Sequence, residues 1–226
     1  MRLLKKKESI IIISIVTIAC VIMGIEDAII QPGYFIKSLI KIVVFLALPI
    51  IYSLFNKEIY LKKLFIPNKK GLLFAILMGI GVYVVVLGAF LIFRNVFDFS
   101  GLTKSLTSQT GVNKNNFIFV AIYISFVNSL LEEFFFRGFS FLTLKKVSNK
   151  KLAYIFSATM FASYHIAMMI GWFSIWVVII ALLGLFVGGL IFNYFDEKYE
   201  NIYLSWLIHM FANFATNTIG FILFLE

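Results

Sequence analysis

The chain reads as an all-α membrane protein, a polytopic bundle of about seven transmembrane helices (six to eight) that forms a single integral membrane domain over residues 1–226. Three observations predict this. Hydrophobic residues occupy 62% of the 226 positions and charged ones 14%, more apolar surface than one water-soluble core can hide. Apolar stretches long enough to cross ~30 Å of hydrocarbon recur along the whole length. Lys and Arg sit in short blocks between them, so the net charge of +9 reflects membrane topology, and no nucleic-acid partner is expected.

The spans are expected at about residues 9–25, 35–55, 71–93, 116–144, 152–170, 172–193 and 202–225. The first follows Met1-Arg2-Leu3-Leu4-Lys5-Lys6-Lys7, which resembles a signal-peptide start, but no small-residue cleavage site precedes Glu26-Asp27, so a retained helix is expected. Cys20, the single cysteine, lies within it and reads as a packing residue. Pro49 should disturb the second span, because proline removes a backbone donor and crowds the preceding turn. The Ser/Thr/Asn-rich stretch from Ser100 to Asn116 reads as an external loop with room for a short interfacial helix. The fourth span is long enough to tilt or to run partly along the interface. A tight turn at Gly171 should separate the fifth from the sixth, and Gly184 and Gly188 form a GxxxG pair suited to close helix packing.

Orientation follows from the cations. Arg2, Lys5, Lys6, Lys7, Lys57, Lys62, Lys63, Lys69, Lys70, Lys145, Lys146, Lys150, Lys151 and Lys198 fall on one side, fourteen against the five of Lys37, Lys41, Arg94, Lys104 and Lys114 on the other. The stretch from Asp196 to Glu200 reads as a mostly acidic loop. A multi-pass protein of the cell membrane with a cytoplasmic N-terminus is expected.

Several polar residues fall where the bilayer penalises them. A charge at the centre of a span costs about 2.5–3.5 kcal/mol on insertion scales. The fourth span carries three, in Leu131-Glu132-Glu133-Phe134-Phe135-Phe136-Arg137-Gly138. Glu133 and Arg137 share a helix face four residues apart and can neutralise each other, which reads as a structural ion pair. Glu132 is turned ~100° away, with no cation on its own helix, so its compensation must come from other helices or from water. The only two histidines, His165 and His209, also lie inside apolar spans, and Asn213 shares the face of His209. Measured from the nearest cytoplasmic lysine at ~1.5 Å per residue, Glu132, His165 and His209 lie ~20, ~21 and ~16 Å deep. One layer near mid-membrane holds all three.

A carboxylate without a salt-bridge partner, two imidazoles and an amide can activate water and stabilise an oxyanion, the parts needed for peptide hydrolysis without a covalent intermediate. Glu132 would be the general base, His165 would help hold the water, and His209 and Asn213 would donate to the oxyanion. The same Glu132, His165 and His209 also match a catalytic zinc set with an open fourth position. No HExxH helix is present, and both versions stay open. Cys20 is remote, and no serine sits in a nucleophile motif.

Glu132-Glu133-xxx-Arg137-Gly138, Phe161-xxx-His165 and His209-xxx-Asn213, in that order, resemble the motifs of the CPBP family, the CAAX proteases and bacteriocin-processing enzymes also called Abi. The resemblance spans a motif core of about residues 116–215. It implies an intramembrane endopeptidase similar to the type II CAAX prenyl endopeptidases, acting on a peptide or membrane-protein substrate in a cavity open to the cytoplasm. It further implies Glu132 as water-activating base, Glu133 paired with Arg137, His165, His209 and Asn213 completing the site, and a divalent metal (zinc) as an optional cofactor. Tyr203 stands where many members have Trp. Because bacteriocin self-immunity is associated with the family, a non-catalytic membrane immunity or binding protein is the alternative.

Overall fold

The computed structural model describes residues 2–56, 61–65, 70–97, 99–169 and 174–225, and among them there is no strand. Seven helices are long and apolar enough to cross a membrane. In chain order with one shorter helix they are α1 (Lys5–Ile30), α2 (Tyr34–Phe55), α3 (Leu72–Phe93), α4 (Ser100–Thr110), α5 (Phe117–Val147), α6 (Lys150–Met169), α7 (Ile175–Tyr199) and α8 (Tyr203–Leu225). The protein is thus a multi-pass membrane protein, and large apolar side chains such as Phe55, Leu73, Phe119 and Trp176 face outward as lipid contact requires. The expected turn at Gly171 lies outside the described residues, as do Lys57 and Lys69.

Local chemistry sets several helix boundaries. Asn149 caps α6 by accepting from the Leu152 backbone N–H at 2.7 Å. Before Pro49, α2 opens into a wider π-type turn over Val43–Ala47, the disturbance expected next to a residue with no N–H to give. The Ser100–Thr110 segment is helical and ends at Gly111, whose φ of +70° suits glycine. Asp196 and Glu197, expected in a loop, instead belong to the last turns of α7. There Glu197 bonds Lys150 at 2.8 Å and the Tyr154 hydroxyl at 2.6 Å, and Asp196 is fully buried with its Oδ2 accepting from Ser205 at 2.7 Å. Tertiary partners make the continued helix worthwhile despite its acidic sequence.

The long helix α5 forms the middle of the bundle. Its stretch Glu133–Thr143 is wound in π-type turns and every residue of it is buried. Phe135 stacks on Phe45 of α2 at 4.2 Å between ring centroids, and Phe136 meets Phe161 of α6 edge-on at 5.4 Å. Around this centre α1 packs on α6 and the end of α5, α3 lies along α8, and α6 along α7.

The glycine that permits the α6–α7 contact is Gly189. A Cβ there would meet the Ala158 backbone at 3.1 Å, whereas one on Gly184 or Gly188 would meet nothing within 4 Å. The expected GxxxG contact is therefore corrected: periodicity marks a pair of small residues but not the face that receives a neighbour. Gly189→Leu should lower stability by about 1–3 kcal/mol through overpacking, while Gly184→Leu and Gly188→Leu should be nearly silent. Reversible unfolding in mixed micelles distinguishes these outcomes.

Candidate active site

Three buried ionisable residues of α5 anchor the site: Glu132 is 2% exposed, and Glu133 and Arg137 are wholly enclosed. Glu132 is not without a salt bridge, as its own helix suggested. Its Oε1 accepts from Lys41 Nζ of α2 at 2.6 Å and from Asn128 Nδ2 at 2.9 Å, and Lys41 donates a second bond to Asn128 Oδ1. Lys41, expected among the cations of the opposite membrane face, is 4% exposed inside the bundle, with its ammonium 4.9 Å from the Tyr164 ring centroid. A lysine seven residues into an apolar span was the available signal, since an intramembrane charge calls for a partner. Asn128, one turn before Glu132 on the same face, is the second residue that sequence reasoning missed.

The other oxygen, Glu132 Oε2, is buried and has no hydrogen-bond partner among the described residues. It faces His209 Nε2 at 3.7 Å and His165 Nε2 at 3.9 Å, so the structure brings together these three predicted residues. Both rings are held from behind. His165 Nδ1 lies 2.7 Å from the Phe161 carbonyl and His209 Nδ1 2.7 Å from Glu133 Oε1. A carbonyl and a carboxylate can only accept, so each neutral imidazole carries its proton on Nδ1 and presents the Nε2 lone pair to Glu132. Three acceptor atoms therefore converge with no donor between them. At His165 the helix tightens, the His165 N–H reaching Ala162 O at 3.1 Å, which carries the ring towards α5.

Glu133 does more than hold Arg137. The ion pair exists, with Arg137 Nε 3.2 Å from Glu133 Oε2, but the second oxygen orients His209. Arg137 itself lies flat on aromatic surface, its Cζ 3.9 Å above the Phe161 ring and 5.0 Å from that of Phe192. The pair thus belongs to the support of the site as well as to helix packing.

Asn213 is placed differently. Its Nδ2 donates to the Ile124 carbonyl at 3.0 Å, and no hydrogen bond joins it to Glu132 or either histidine among the described residues. It is one of a row on α8 with Trp206, His209 and Asn217. Trp206 Nε1 donates to Ser129 Oγ at 3.0 Å and Asn217 Nδ2 to Ala121 O at 3.1 Å. These bonds reach α5 around its π-type turn at Ile124–Asn128, and they fix the height at which His209 meets Glu132. Tyr203, at the start of α8, donates its hydroxyl to the Phe65 carbonyl at 3.1 Å.

The converging acceptors fit a water better than a zinc ion. A carboxylate and two histidines with hydrogen-bonded Nδ1 atoms are the right donor types for zinc. Their spacing is not: zinc bonds of ~2.0 Å at a tetrahedral angle put ligand atoms ~3.3 Å apart. The Lys41 ammonium also neutralises the same carboxylate, and among the described residues no group of three His, Cys, Asp or Glu side chains could hold a metal. The gaps of 3.7 and 3.9 Å exceed a hydrogen bond yet let a single water touch both pairs of atoms. The set suits a water donating into acceptors better than a tetrahedral ion.

Lys41→Met should leave Glu132 buried without its cation, at a cost of about 3–5 kcal/mol. The double variant Lys41→Met/Glu132→Gln should regain most of that loss. A double-mutant cycle by chemical unfolding measures the coupling, and additive losses would deny the pair.

Residues 114–215 match the family model described as type II CAAX prenyl endopeptidase Rce1-like, whereas no curated protein and no solved structure matches the chain. The matched segment contributes Asn128, Glu132, Glu133, Arg137, His165, His209 and Asn213, and Lys41 comes from outside it. The segment that builds this buried Glu–His centre is thus similar to the Rce1-like type II CAAX prenyl endopeptidases, a likeness that supports the CPBP/CAAX protease family.

Proposed function

We propose that the protein is an intramembrane endopeptidase in which Glu132 activates a water held between its Oε2 and the Nε2 atoms of His165 and His209. The observation that carries this reading is the unpartnered Oε2 facing two Nε2 lone pairs at 3.7 and 3.9 Å. Acceptors repel one another in a low-dielectric interior unless a donor lies between them. A water there donates its two hydrogens to Oε2 and to one Nε2, and is polarised to give up a proton.

The steps follow from the same atoms. Glu132 Oε2 takes a proton as the water oxygen bonds to the scissile carbonyl carbon, and the carbonyl π pair moves onto oxygen to form the tetrahedral oxyanion. One amide hydrogen of Asn213 is committed to Ile124 O, and its second is the proposed oxyanion donor. The proton passes from Glu132 to His209 Nε2, and Glu133 against Nδ1 supports the imidazolium much as the aspartate of a catalytic triad does. As the C–N bond breaks, His209 protonates the leaving nitrogen, giving a carboxylic acid and an amine, which exchange a proton to leave as carboxylate and ammonium. Lys41 and Asn128 occupy Oε1 throughout, so Oε2 is the reacting oxygen. The lysine-rich helix ends mark the cytoplasmic side, and with it a cytoplasmic N-terminus in the cell membrane and access for a peptide substrate from that side.

Glu132→Gln and His165→Ala should each lower kcat for a peptide substrate by about 10³-fold or more with little change in KM. Cleavage by either variant at the parent rate would overturn the assignment of these residues, whereas protection against a secreted peptide that survived Glu132→Gln would favour a binding or immunity role over proteolysis. Metal analysis of the purified, active protein is expected to show no stoichiometric zinc, and chelation should leave its rate unchanged. Loss of activity on chelation, restored by zinc, would establish the metal-assisted version.

A further inference from the structure

A second set of buried carboxylates lacks partners, away from Glu132. It lies at the end of α1 remote from the N-terminus, where the helix widens over Glu26–Ile30. Glu26 is 1% exposed, and neither of its carboxylate oxygens has a hydrogen-bond partner among the described residues. Asp27 Oδ1 accepts from the Lys37 ammonium, while its Oδ2 is buried and has no hydrogen-bond partner among the described residues. Both residues line a cavity of about 20 Å³ together with Gln31, Lys37 and Thr110. That volume admits one water or one small ion.

The buried, unpartnered Glu26 carboxylate on the cavity wall points to an occupant, and two features of its surroundings define it. The first is charge: Lys41 is committed to Glu132, so two carboxylates share the single ammonium of Lys37. An uncompensated charge in this setting is costly, and one further positive charge removes the cost. The second is the turn beyond α1, where Gln31 has φ +47° and ψ 53° and returns its N–H to Glu26 O at 2.8 Å. This left-handed helix cap sets Gln31 on the cavity wall, within reach of the same space as Glu26 and Asp27.

We propose that this cavity is a binding site for a monovalent hard cation of the Na⁺ class, held by Glu26 and by Asp27 Oδ2, with the Gln31 amide oxygen and the Thr110 hydroxyl as neutral ligands. Carboxylate, amide and hydroxyl oxygens are the ligands such ions take, whereas Met168, also on the wall, offers only a soft thioether that a hard cation does not select, and no imidazole lines the cavity. A divalent ion would leave surplus positive charge beside Lys37. The site shares no residue with the Glu132 centre, so its test is independent of the peptidase reading.

The test uses the full-length protein in detergent, with unfolding temperature measured in NaCl and in choline chloride at equal ionic strength and pH, and ²²Na⁺ binding measured by equilibrium dialysis. Sodium is expected to raise the unfolding temperature by several degrees in a saturable way, and labelled sodium should bind to one class of site. Glu26→Gln and Asp27→Asn should abolish both effects, and Glu200→Gln, at an exposed position, should keep them. Thr110→Val should weaken sodium binding by about tenfold, which keeps the test decisive if Glu26→Gln does not fold. Equal stability in sodium and choline, absence of bound ²²Na⁺, or full retention in Glu26→Gln would overturn the proposal. Stability that follows pH but not the cation would do the same and would assign a proton to Glu26.

Discussion

The ion pair between Lys41 and Glu132 is the constraint on which the rest of this bundle depends. A carboxylate in hydrocarbon is tolerated only with its charge compensated and its oxygens occupied. Lys41 and Asn128 satisfy one oxygen of Glu132 at 2.6 and 2.9 Å, which fixes α2 against α5 and leaves the other oxygen to the histidines. One contact thus joins a packing requirement to a chemical one, because the group that makes burial of Glu132 bearable also determines which of its atoms can react.

The histidines are oriented by the same logic at one remove. His165 is anchored on a carbonyl of its own helix, and His209 on Glu133, which also faces Arg137. Each anchor is an acceptor, so each ring turns its lone pair inward. The outcome is a centre of acceptors only, with positive charge supplied from behind by Lys41 on one flank and Arg137 on the other. Such a centre binds a donor, and a water polarised in it becomes more acidic. That is a requirement of the proposed peptide hydrolysis, and it agrees with the similarity of residues 114–215 to the Rce1-like endopeptidases.

The width of α5 matters to this geometry. Its π-type turns allow a helix crowded with phenylalanine to present Glu132 and Glu133 towards partners on α2, α6 and α8. From α8, Trp206, Asn213 and Asn217 bond to α5 and set the register in which His209 arrives. A polar row along an otherwise apolar helix therefore acts as a docking edge, with one member, His209, directed at Glu132.

By itself the sequence determined the class of the molecule, the number of long apolar helices and three of the residues that converge, Glu132, His165 and His209. Those features follow from residue type and helical spacing: apolar runs of bilayer length, two histidines and a Glu-Glu pair where charge is penalised, and motifs that carry the family resemblance. Only the tertiary structure decided who compensates whom. Lys41 is far from Glu132 in sequence, Asp196 reads as a loop residue until Ser205 is seen beside it, and Gly189 rather than Gly184 or Gly188 meets a neighbour. The physical reason is common to all three. Periodicity reports which residues share a face of one helix, whereas burial, charge pairing and close approach depend on which other helix that face meets.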